Sequence, residues 1–162
     1  MGFSVIMPKK TTAQFEDVVA RLKDAARNPA LTVGVHRDEA RKREEPGGPT
    51  NADLALWHEF GTEDVPARPF IRPVLAANRA IYAKLLKQYY KSGKTPVECL
   101  KLLGMVIVSD MRKGLLRGVK PDLSEGRVEA KREAGYPRPH TPLFATGALF
   151  NSIAAKVEET KK

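Results

Sequence analysis

The chain holds a single cysteine, Cys99, among 162 residues, so it can form no intrachain disulfide, and it suits folding in a reducing cytosol. No apolar run approaches the roughly 18 residues needed to span a bilayer, so no membrane partner is expected. The opening MGFSVIMPKK places its charge after the apolar residues and has no apolar signal core, so export by its own signal is not expected. Catalytic patterns are missing as well. His58-Glu59 begins like a zinc-protease helix, but position 62, where H-E-x-x-H needs its second histidine, is Thr62. No G-x-S-x-G nucleophile elbow accompanies Ser109-Asp110 or Ser152. Gly93-Lys94-Thr95 lacks the upstream glycine of a phosphate-binding loop and reads as a helix stop followed by a cap. His36, His58, Cys99 and His140 include no close ligand pair. Neither an enzyme nor a cofactor or metal site is expected.

The composition is that of one globular domain spanning 1–162, with 42% hydrophobic and 29% charged residues. The net charge of +9 is unevenly placed. Residues 1–80 carry 12 basic and 11 acidic side chains, whereas residues 81–162 carry 16 and 8. A basic half attracts nucleic acid or an acidic protein surface by its long-range field, and it equally suits a solvated surface. No zinc-finger spacing or RNA-binding aromatic signature sharpens the first reading.

Phe3, Val5 and Met7 alternate as a short strand. Thr11 and Gln14 have capping-box spacing, and Phe15, Val18, Val19, Leu22, Ala25 and Ala26 form one helical stripe that Asn28-Pro29 stops. Leu31, Val33 and Val35 alternate as a second strand. The stretch 37–50, RDEARKREEPGGPT, has eight charges among fourteen residues and no apolar periodicity, and reads as a mobile loop. Val74, Ala77, Ile81, Leu85 and Tyr89 mark a helix face ending near Gly93. Thr95 and Glu98 form a capping box around Pro96, and Val97, Leu100, Gly104, Ile107, Met111 and Leu115 recur at steps of three and four. Gly104 within that face invites close approach by a neighbouring element. Ala154 to Glu158 suits a last strand. The expected fold is α+β, a small and mostly antiparallel sheet on two or three longer helices.

The richest segment is 51–73, NADLALWHEFGTEDVPARPFIRP. Asn51 suits a helix cap, Gly61 a left-handed helix stop, Pro66 and Pro69 an extended crossing, and Pro73 the first turn of the next helix. A second segment, 122–153, contains L-S-x-x-x-x-x-x-K, from Leu123 and Ser124 to Lys131, followed by P-L-x-x-T-G-x-L-x-x-S-I, built on Leu143, Thr146, Gly147, Leu149 and Ser152. Thr146 can cap a short helix there, whose Leu149, Phe150 and Ile153 turn inward. The wording of the first segment, through His58, Glu59, Phe60, Gly61, Thr62, Pro66, Arg68, Pro69, Phe70, Arg72 and Pro73, resembles the tail-completion, or head–tail joining, proteins of long-tailed bacteriophages. The Mu-like virion morphogenesis proteins and lambdoid minor tail components belong to that group, and the second segment is similar to the carboxy-terminal half of the Mu-like proteins.

The resemblance implies a non-enzymatic virion part in the neck or at the tail end, assembled in the host cytoplasm. Its implied partners are further copies of itself in a ring, a hexamer by tail symmetry, with a head connector or head-closure protein and a tail terminator or tail-tube protein. The motif residues then serve subunit packing, Arg68 and Arg72 pairing with carboxylates on the same or a neighbouring subunit. Arg41, Lys42 and Arg43 mark the charged loop as a docking element. Arg112, Lys113 and Arg117 are the candidates to face passing genomic DNA. The alternative is an accessory protein that binds nucleic acid without sequence preference.

Overall fold

The computed structural model describes residues 9–37 and 48–159. Among them the chain is α+β, with six helices and one two-stranded antiparallel sheet. The order is α1 (Lys9–Ala26), β1 (Pro29–Val35), α2 (Asn51–Phe60), α3 (Arg72–Lys91), α4 (Pro96–Arg117), α5 (Glu125–Glu133), α6 (Ala148–Ser152) and β2 (Ile153–Glu159). The expected strand at Phe3–Met7 and the loop residues Arg41, Lys42 and Arg43 lie outside the described residues.

Helix α4 is the centre of the fold. Its Thr95/Glu98 capping box forms as expected, satisfying backbone N–H groups at the first turn. Cys99, Leu103, Gly104, Ile107, Met111 and Leu115 are buried along it. One side receives α3 as an antiparallel hairpin partner. The other receives the sheet, in which Leu31 faces Val157, Val33 faces Ala155 and Val35 faces Ile153. Gly104 makes the second contact close: a Cβ built there would lie 2.8 Å from the Ala155 Cβ and 3.1 Å from the Leu31 Cδ1. A glycine in mid-helix forfeits about 1 kcal/mol against alanine, and here its missing side chain lets the ribbon sit against the helix. Met111, Leu115 and Ile153 are fully enclosed where the layers meet.

The face of α3 is shifted from the expected one. Ile81 is 55% exposed, and its neighbour Tyr82 is the buried residue. Tyr82 was legible as an apolar ring but not as a core residue, because its hydroxyl needs a partner that only the fold supplies. That partner is Asp110 on α4, whose Oδ2 accepts from the Tyr82 Oη at 3.0 Å. Burial and then the Asp110 carboxylate push the phenol up to about 12.

Helix α1 is different in kind. Its apolar stripe is largely uncovered: Phe15 is 67%, Val18 49% and Leu22 65% exposed. Its carboxy-terminal half is tied down by polar contacts. Asp24 accepts the Val97 N–H at 2.9 Å, and Arg21 donates to the Tyr90 carbonyl at 3.0 Å while its guanidinium lies over the Tyr90 ring.

Candidate docking site

The site begins with the way α2 stops and α3 starts. Thr50, not Asn51, caps α2. Its hydroxyl accepts the Asp53 N–H and the Asp53 carboxylate accepts the Thr50 N–H, a reciprocal pair that Asn51 one place later cannot make. Asn51 is instead buried in the first turn. Gly61 ends the helix with φ 81° and ψ 167°. This is an extended, glycine-only conformation rather than the left-handed helical one expected, and its N–H still returns to the Trp57 carbonyl at 2.7 Å. Thr62 and Val65 then close a turn, with Thr62 N–H on the Val65 carbonyl and Val65 N–H on the Thr62 hydroxyl. The Arg68 N–H meets the His58 carbonyl at 2.6 Å and brings the chain back beside α2.

This return delivers the start of α3 to Glu59. Ile71, the residue before α3, has no side chain that can cap it. The carboxylate of Glu59 does so from α2. Its Oε2 accepts the N–H groups of Phe70 at 2.9 Å and Ile71 at 3.0 Å, and its Oε1 accepts that of Arg72 at 2.9 Å. The Arg72 Nε adds a charged hydrogen bond to Oε1 at 3.0 Å, and the same guanidinium reaches the Glu59 carbonyl and covers the Phe60 ring. Burial on its own would raise the Glu59 carboxyl. The three backbone donors and Arg72 outweigh it and hold the group below the ordinary glutamate range. Negative charge at a helix N-terminus is stabilising, so one buried residue serves as cap, counterion and clamp.

Arg72 therefore finds its carboxylate within the chain. Arg68 finds none. Its Nε and Nη2 donate to the carbonyls of Pro121 and Asp122 at 2.8 and 3.3 Å, tying the first motif segment to the second. Phe70 is only 2% exposed, so it is a core residue and offers no surface anchor.

Between the two segments lies a cleft of about 1150 Å³, whose walls include His58, Pro66, Arg68, Leu143, Thr146 and Leu149. Lys131 on α5 shapes its far wall: the ammonium donates to the carbonyls of Thr141 and Phe144 at 2.7 Å each and of Arg138 at 3.2 Å. Its burial lowers the amine below the ordinary lysine range. Lys131 closes the L-S-x-x-x-x-x-x-K pattern, but nothing in that pattern marks its three carbonyl partners. Gly147 (φ 82°) caps α6 in the left-handed conformation, where Thr146 was the expected cap. The Thr146 hydroxyl still accepts the Ala148 N–H at 3.3 Å. Leu149 and Ile153 turn inward as expected, and the Ser152 hydroxyl is spent on the Leu149 carbonyl. Glu59, Phe60, Gly61, Thr62, Pro69, Phe70, Arg72, Pro73, Gly147 and Ser152 shape the segments without lining the cleft.

The three basic residues expected to face DNA differ in their surroundings. Arg112 is drawn inward, its Nη2 donating to the Ile153 carbonyl at 3.0 Å, because the carbonyls at the end of α6 lack donors of their own. Lys113 is exposed and lies 3.8 Å from Asp110, and Arg117 is exposed. Among the described residues there is no cluster of three or more His, Cys, Asp or Glu suited to a metal, and no helix is long and apolar enough to cross a membrane. No protein-family model, curated protein or solved structure matches the chain.

Proposed function

We propose that the protein is a structural subunit of a phage virion, one that completes the tail end or joins the tail to the head connector as a homomeric ring. The observation that carries this reading is the convergence of the two resemblant segments. Although separated in sequence by helices α3 and α4, they are hydrogen-bonded to each other through Arg68 and share the walls of one cleft. A ring subunit also needs apolar surface that a single chain leaves uncovered. Phe15, Leu22, Leu56, Trp57, Phe60 and Met105 are such side chains. Heterologous contacts that close by rotation turn such patches into a ring. In this reading the neighbours in the particle are a connector or head-closure protein on one side and a terminator or tail-tube protein on the other. The test is imaging of particles made with and without the gene. Full heads and detached tails are expected in its absence, and intact infectious particles would refute the role.

A second reading, a nucleic-acid-binding accessory protein, is favoured by one feature. Helix α3 has five Lys or Arg among its 20 residues and no Asp or Glu. Contact with phosphates alone predicts weak, sequence-blind DNA binding that fades by about 0.2 M salt. Tight binding by a monomer that persists above that salt concentration would place this reading first.

A further inference from the structure

Two apolar surfaces of this chain, a ridge and a groove, do not meet within one copy. The first is the stripe of α1. Phe15, Val18 and Leu22 follow one another at steps of three and four, so they lie on one face. All three are exposed, and Glu16 beside them makes no ion pair among the described residues. The second is a groove of about 420 Å³ between α4 and the ribbon, lined by Leu31, Met105, Val108, Ala155 and Val157. Met105 is 63% exposed on its wall, and Lys101, which also makes no ion pair among the described residues, lines it too. None of the lining residues comes from α1. The Arg21 and Asp24 contacts hold α1 against the turn between α3 and α4, leaving Phe15 and Val18 uncovered.

We infer that the α1 stripe of one copy docks into the α4–ribbon groove of the next copy, with Glu16 meeting Lys101. The inference rests on the homomeric-ring reading and specifies its subunit contact. A second copy is the occupant because the protein itself carries both halves of the contact: an apolar ridge with an unpaired acid and an apolar groove with an unpaired base. Each half uses a different face of the molecule, so the contact is head-to-tail and leaves one ridge and one groove free until a ring closes. Apolar burial supplies the attraction and the charge pair sets the register.

The experiment is sedimentation or light scattering of the full chain at about 100 µM, a concentration at which even modest interfaces are populated. Wild type is expected to exceed the single-chain mass of 17.9 kDa several-fold. Phe15→Asp spoils only the ridge and Met105→Asp only the groove, and each variant alone is expected to be monomeric. An equimolar mixture retains one intact ridge and one intact groove, so it is expected to give a dimer that grows no further. Because both side chains are exposed, circular dichroism should match wild type. Should either variant fail to fold, Glu16→Lys and Lys101→Glu serve instead: each alone weakens assembly and the double variant restores it. Monomeric wild type, or a mixture that stays monomeric, overturns the inference. Wild-type rings unaffected by these substitutions overturn the contact but leave the ring reading in place, and particle imaging tests that reading separately.

Discussion

The junction of α2 with α3 and the helix α1 are built on opposite principles. At the junction, polar groups are satisfied from within the chain. Glu59 holds three backbone N–H groups and a guanidinium, and Arg68 holds two carbonyls. Along α1, an apolar stripe is left in water and the helix is fastened mainly by Arg21 and Asp24. A helix of 18 residues is marginal in isolation, since tertiary packing of its apolar face supplies most helical stability. The first region is complete alone. The second leaves its apolar stripe uncovered.

The largest expected effect tests the completeness of the junction. Glu59→Ala should destabilise the fold by about 3–5 kcal/mol, because it strands buried donors and leaves Arg72 without its counterion. Chemical denaturation of the purified variant measures this, and a loss below about 1 kcal/mol would mean that water replaces the carboxylate. Glu59→Gln sharpens the point through pH. The folded carboxyl lies below its usual value of 4.5, so its contribution is fully present above that value and is lost as pH falls through the lowered one. The stability gap between wild type and Glu59→Gln should hold from neutral pH down to about 5 and then close. A gap independent of pH would show that charge has no part in the cap.

Gly61→Val should cost about 2–3 kcal/mol, since a β-branched residue resists positive φ and its Cβ would meet the Ala67 nitrogen at 3.1 Å. An unchanged thermal midpoint would argue that the turn relaxes freely. The smallest expected effect lies on α1. Leu22→Lys should change the stability of the isolated monomer by less than about 0.5 kcal/mol, as exposed substitutions do. A large loss would erase the contrast, because it would mean that Leu22 is covered within its own chain.

Much of this architecture was legible because it rests on periodicity and caps. The steps of three and four through Gly104, Ile107, Met111 and Leu115 marked the buried side of α4, and the Thr95/Glu98 box marked its start. Alternation through Leu31, Val33 and Val35 marked β1 of the ribbon. The junction was legible as a stop and a crossing but not as a clamp. Nothing local shows that Glu59 caps a helix beginning more than ten residues later, since that bond depends on the return path through Pro66 and Pro69. The exposure of α1 was hidden for the converse reason: an apolar stripe looks the same whether its partner lies in the same chain or in another. The carbonyl bond of Arg112 was not legible because its partner, Ile153, sits about 40 positions away in sequence.

The ribbon also bears on the order in which this chain folds. Thr32 and Lys156 are strand partners 124 residues apart. Helices α3 and α4 are synthesised and able to pair well before β2 leaves the ribosome. Until then, the side of α4 that carries Gly104 lacks its full cover, and β1 has no partner strand. Contacts of such long range form late and slowly, and open apolar surface is what chaperones bind and aggregates grow from. The groove proposed to receive a second copy is lined in part by β2 and so exists only once that strand is in place.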